Sequence, residues 1–268
     1  MDFLRRVKQW LAMPTHSVLP LDDAAWADYC AAWPLLRRMP AAEALALRAM
    51  SDQFLASKYL EGVRGLALTA EMQRVIALFA CLPVLHLGLE WYKDWNNIFV
   101  TADSFRETRQ SYQAGGVISE SEEELSGEVL EFGPVVLSWE DIREGGQGRG
   151  FQVVIHEMAH KLDGRNGQDL DGMPPLSAAD RAIWQPVFSE TYQEFCRQVT
   201  AAERGLTATA RSRLARLPLD DYAAESPAEF FAVACEAFFD RSLRLRGEWP
   251  AVYDCLRRFF GMDPAEWI

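Results

Sequence analysis

Two histidines four residues apart, His156 and His160, frame the run His156-Glu157-Met158-Ala159-His160. Val153-Val154-Ile155 precedes it and Leu162 follows, an apolar setting that reads as a buried helix. Positions four apart share a helix face, so both imidazoles can reach one Zn²⁺, and Glu157 can reach a water on that ion. Such a site makes a hydrolase. Zinc lowers the pKa of the water to about 7, and the carboxylate takes its proton as it attacks a carbonyl carbon. Peptide hydrolysis is the default inference. The competing reading, an exposed helix with two ordinary histidines, fits the setting poorly. Only four histidines occur in the chain, and placing two of them with a glutamate in an apolar helix costs desolvation unless something binds them.

A catalytic zinc site takes three protein ligands and keeps a fourth position for water. One large class of zinc peptidases places a third histidine six residues after the second, with a glycine three residues after it. Asn166 and Asp163 occupy those positions, which excludes that class. Of the two other histidines, His16 is remote, and His86, between Leu85 and Leu87, reads as a core histidine. A carboxylate is therefore favoured, with Glu225, Glu229 and Glu236, around the helix that follows Pro227, as candidates. Glu229 also fits a helix cap in which Ser226 is the N-cap, Pro227 comes first and the glutamate third. The residues alone leave it level with its neighbours. Its merit is a first-turn position at a helix mouth that can face a cleft, whereas Glu236 lies further on among Cys235, Ala237 and Phe238. Tyr222 stands just before this helix, placed either to donate a hydrogen bond to the oxyanion of the attack or simply to pack.

The elements that must position these residues are mostly helical. Pro40 opens a helix over Ala41 to Ser57, and Thr69 opens another that runs to Cys81 before Pro83. Ile98-Phe99-Val100 is strand-like, and Val129 to Phe132 and Val135 to Trp139 flank Gly133-Pro134 as a hairpin would, implying a small antiparallel or mixed sheet. Glu120 to Glu124 reads as a solvated acidic loop. The glycine-rich stretch Gly145 to Gly150 is a flexible connector into the motif helix, or a lid over it. Gly164 and Asn166-Gly167 end that helix, Asp169 to Pro175 is a loop, and further helices run from Ser177 to Thr200, Ser226 to about Arg241 and near Pro250 to Phe260. The expected architecture is a single α+β domain over residues 1–268. It has a helical N-terminal part to about residue 95, a small sheet over about 96–140, and a helical metal-binding part from about 150. Along it, the strand Val135 to Ser138 can align an extended peptide by backbone pairing.

At 268 residues and 49% hydrophobic, the chain has ample material for a core. A net charge of −12 opposes binding to nucleic acid, so any link to gene control would run through a protein. Met1 to Thr15 is amphipathic, with Arg5, Arg6 and Lys8 among Phe3, Leu4, Val7, Trp10 and Leu11, unlike a signal peptide. No apolar run approaches the roughly 18 residues of a membrane span, and a cytoplasmic location is expected. Five widely spaced cysteines with no Cys-x-x-Cys pair read as free thiols, Cys81 and Cys235 as small hydrophobes.

Five segments, Ala80 to Leu85, Gly133 to Trp139, His156 to Asp163, Asp171 to Leu176 and Tyr222 to Val233, resemble in this order the Mlc titration factor A family of bacterial zinc metallopeptidases. The resemblance covers nearly the whole chain. It implies a mainly helical, zincin-type metallopeptidase domain in which His156, His160 and Glu229 bind one zinc, Glu157 is the general base and Tyr222 stabilises the oxyanion. It further implies a cytosolic protein with aminopeptidase-like activity that binds and inactivates a glucose-responsive transcriptional repressor, Mlc. Two places depart from expectation: the charged Lys161 follows the second histidine, as it also does in the family, and Phe151-Gln152-Val153 lacks the asparagine expected shortly before the motif to support the helix. A rival from another class is a regulatory protein that sequesters a transcription factor around a structural zinc. Glu157 speaks for chemistry, since a purely structural site has no use for it.

Overall fold

The computed structural model describes residues 21–103, 133–167, 170–204 and 212–267. The amphipathic segment Met1 to Thr15, His16, the acidic stretch Glu120 to Glu124 and the expected strand Val129 to Phe132 lie outside the described residues. In chain order, α1 (Asp23–Ala32), α2 (Pro34–Arg38) and α3 (Ala41–Ser57) lead into β1 (Tyr59–Gly62), and α4 (Ala70–Cys81) precedes β2 (Asn97–Thr101). After β3 (Val135–Ser138) come α5 (Trp139–Glu144), the motif helix α6 (Val153–Asp163), α7 (Ala178–Glu203), α8 (Pro227–Asp240), α9 (Ser242–Glu248) and α10 (Pro250–Phe260). Caps set many of the starts: Asp22, Thr69, Ser138, Ser177 and Ser226 each accept the N–H of the residue three further on.

The three strands run in the order β1-β2-β3, and both pairings are parallel. Ile98 faces Val135 and Val100 faces Leu137 in the register of β2 with β3. This corrects the expectation of an antiparallel or mixed sheet for the described strands. Gly133-Pro134 carries a local turn signal, yet the arm that follows it pairs in parallel with β2, and parallel strands need long crossovers. Between β1 and β2 that crossover contains α4 and two short 3₁₀ turns, Leu82–Val84 and Leu89–Tyr92. β1 itself, Tyr-Leu-Glu-Gly, is too short to announce a period.

Ile98, Val100, Val135 and Leu137 are buried on the sheet, and α4 is buried from Arg74 to Cys81. Arg74 is tolerated there because its guanidinium meets Ser51 at 2.8 Å and Asp52 at 2.6 Å on α3. α6 lies between this layer and α8, with Val154, Ile155, Met158, Ala159 and Leu162 fully buried. α8 is apolar apart from three acids, and Phe230, Phe231, Phe238 and Phe239 fix it in the core. The five cysteines are free; burial pushes the thiols of Cys81 and Cys235 well above their ordinary value, as suits packing residues. None of the described helices is long and apolar enough to cross a membrane.

Candidate metal centre

α6 and α8 pack side by side, and the side chains expected to bind metal meet between them. His156 Nε2 lies 3.1 Å from His160 Nε2 and 3.0 Å from Glu229 Oε2, and His160 Nε2 lies 3.5 Å from the same oxygen. These are close to the edges of a zinc tetrahedron, about 3.3 Å for bonds of roughly 2.0–2.1 Å. Among the described residues, His156, His160 and Glu229 form the cluster whose ligand atoms converge in this way. Glu229 Oε2 is buried and has no hydrogen-bond partner. Acceptors crowded this closely repel one another unless a cation or a proton sits among them, so the donor set fits a metal ion.

The electrostatics agree. Burial opposes protonation of His156, but its contacts with Glu229 and Glu236 outweigh burial and raise it to about 10. Burial likewise works to raise the Glu229 carboxyl, yet the two histidines hold it well below the usual carboxylate range. The carboxylates of α8 therefore favour positive charge at the histidines of α6.

Glu236, seven residues after Glu229 on the same helix, approaches His156 from its other side. Its Oε1 lies 2.9 Å from His156 Nδ1, and its Oε2 accepts the backbone N–H of Gln152. Burial pushes this carboxyl up, and the contacts with His156 and Gln152 oppose the push. In the sequence Glu236 stands only as a candidate ligand. The signal available was its spacing: a buried carboxylate two turns from a candidate ligand must itself have a partner. Gln152 serves as the N-cap of α6, its side chain accepting the Val154 N–H at 3.2 Å, so the departure from asparagine leaves the helix start supported. Lys161 is buried too, and its ammonium donates to the Gly133 carbonyl at 3.0 Å beside β3.

Asp163 ends α6 and ties the next loop to the site. Fully buried, it accepts the N–H groups of Gly172 and Met173, each at 2.8 Å. Burial raises it to about 6 against the pull of those two bonds. Gly172 has φ of 77°, and a β-carbon there would lie 2.3 Å from the Pro227 carbonyl oxygen at the start of α8. Gly172→Ala is therefore expected to lower stability by about 1–3 kcal/mol, the order of a left-handed non-glycine residue, with the clash added. Urea unfolding of both proteins measures this, and equal midpoints would contradict the close approach.

The glycine-rich connector is pinned. Asp240, the last residue of α8, accepts the N–H of Gly148 at 2.9 Å and of Gly150 at 2.6 Å, and Arg241 Nε donates to the Gly148 carbonyl at 3.0 Å. These bonds oppose a lid motion of this segment and instead anchor the entry to α6. Glu229, Glu236 and Asp240 thus lie on one stripe of α8, each facing α6 or the segment leading into it.

Glu157 is half-buried, and its charge acts on His156 and on Lys161. Tyr222 sits in the 3₁₀ turn Asp221–Ala224, its ring centre 5.9 Å from that of His156 and inclined by 40°. Tyr192 and Cys196 of α7 both reach the Ala224 carbonyl, at 3.2 and 3.8 Å, and so brace the turn. Glu225 is exposed and outside the converging cluster. His86 is exposed rather than buried, which corrects the core reading: it follows buried Leu85 at the end of a 3₁₀ turn and pairs with Glu43 at 2.9 Å.

The chain matches the model of the family described as glucose-regulated metallo-peptidase M90 over residues 5–261. It is 34% identical over 231 residues, 86% of its own length and 82% of the relative's, to Mlc titration factor A of Yersinia pestis (strain Pestoides F). The protein of the same name from Yersinia pseudotuberculosis serotype O:1b (strain IP 31758) gives the same figures.

Proposed function

The chain belongs to the glucose-regulated M90 metallo-peptidase family, and from that membership we propose that it is a zinc-dependent peptidase whose metal is held by His156, His160 and Glu229. The observation that carries the reading is the convergence of three donor atoms within 4.8 Å of one another, two from α6 and one from α8, with Glu157 on α6 beside them. When bound, zinc supplies a Lewis acid and a water whose pKa falls to about 7. Glu157 takes the proton of the attacking water and delivers it to the leaving amine. The Tyr222 phenol, beside His156, donates a hydrogen bond to the oxyanion as the carbonyl carbon becomes tetrahedral. The peptide lies extended against β3, one of the two outer strands among those described, where Val136 turns outward. We take residues 1–268 as one zincin-type domain working in the cytoplasm, with aminopeptidase-like preference.

The test is hydrolysis of fluorogenic peptides with free and with acetylated N-termini, before and after chelation and after zinc is restored. Activity that chelation removes and zinc restores is expected, with free N-termini favoured; hydrolysis indifferent to chelation would contradict the proposal. Tyr222→Phe is expected to lower kcat by about 10-fold or more with little change in KM, because an oxyanion donor acts in the transition state. A change confined to KM would return Tyr222 to binding or packing.

A second reading rests on the name shared by the Yersinia relatives, Mlc titration factor A. In it, this acidic protein binds a Mlc-like repressor directly rather than DNA, and the zinc is mainly structural. Repressor binding as such is compatible with peptidase activity, and a pull-down with such a repressor tests it.

A further inference from the structure

We infer that Glu236 is a positioning residue of the metal centre, holding His156 in the tautomer and ring orientation that turn Nε2 toward the ion; this rests on the zinc reading above. One carboxylate spans two groups. Oε1 takes His156 Nδ1 at 2.9 Å, and Oε2 takes the Gln152 N–H, the backbone group just before α6 begins. A proton on Nδ1 that is committed to Glu236 leaves Nε2 with a free lone pair, the form that binds metal. The second bond fixes the start of the ligand helix relative to α8, so ring and helix are aligned by a single side chain.

The arrangement is asymmetric. His160 Nδ1 is buried without a hydrogen-bond partner, so of the two ligand histidines His156 is the one backed by a carboxylate on its far nitrogen. His156 is consequently gripped by α8 on both nitrogens, Glu229 facing Nε2 and Glu236 facing Nδ1. Seven residues, about two helical turns and roughly 10 Å of rise, let one helix place both acids along the same face. At 2% exposure, Glu236 has no solvent-facing role that would explain a carboxylate in this apolar helix.

The variants differ in what they keep. Glu236→Gln preserves an acceptor for Nδ1 but sets an amide NH₂ against the Gln152 N–H; Glu236→Ala removes both acceptors. Zinc affinity is measured by competition with a chromophoric chelator at fixed pH, beside the circular dichroism and thermal unfolding of the metal-free proteins. Glu236→Ala is expected to weaken zinc binding by about 10- to 100-fold, the usual effect of losing a carboxylate behind a histidine ligand, and Glu236→Gln by less. Should Glu236→Ala fail to fold, Glu236→Gln carries the test. Folded variants that bind zinc within about twofold of wild type, even if less stable without metal, would overturn the inference and leave Glu236 a purely structural role. Absence of zinc binding in the wild type is a separate outcome, which would overturn the metal reading itself.

Discussion

Glutamine in place of Glu157 is expected to leave about one zinc per chain and an unchanged fold, while peptide hydrolysis falls by about 10²- to 10⁴-fold, the usual worth of a general base. The amide is nearly isosteric with the carboxylate but cannot accept the water's proton. Glu157 is half-buried and outside the converging donor set, so its replacement removes no ligand. Unchanged turnover would overturn the proposed mechanism. The same variant separates catalysis from partner binding, since it alters one recessed charge and leaves the remaining surface intact. It is expected to retain a Mlc-like repressor as well as wild type does at matched salt. Loss of partner and hydrolysis together would mean that the repressor occupies the cleft as a substrate.

The second large effect concerns the ligands. His156→Ala, His160→Ala and Glu229→Ala are each expected to lose zinc during dialysis against a chelator that wild type withstands, because two protein ligands hold the ion far less well than three. The His156 variant also leaves Glu236 buried without its partner on Oε1, so it is expected to be the least stable of the three when metal-free. Thermal unfolding and elemental analysis of the same samples read both effects. Zinc retained at full stoichiometry in any of the three would remove that residue from the site.

Much of this was legible because helices obey a short period. The motif helix follows from His156, His160 and the apolar residues around them, and the start of α8 follows from Ser226-Pro227, whose cap the structure contains. The choice of Glu229 over Glu225 rested on family resemblance, since residue types alone do not say which glutamate of a buried helix faces a partner. The contacts of Glu236 with His156 and of Asp240 with Gly148 and Gly150 span 80 or more residues of chain, beyond any local pattern. Strand direction was hidden for the same reason. Gly133-Pro134 looks like a hairpin turn locally, whereas the parallel pairing of β3 with β2 is decided by long crossovers. His86 shows the converse error, an apolar neighbourhood in sequence that the fold turns outward to Glu43.

The most direct test of the central claim is the position of the metal itself, found by anomalous scattering at the zinc edge from crystals of the zinc-loaded wild type. One peak per chain is expected, about 2.0–2.2 Å from His156 Nε2, His160 Nε2 and a carboxylate oxygen of Glu229. A peak that instead engages Glu225 or Glu236, or one that lies away from α6, would contradict the account.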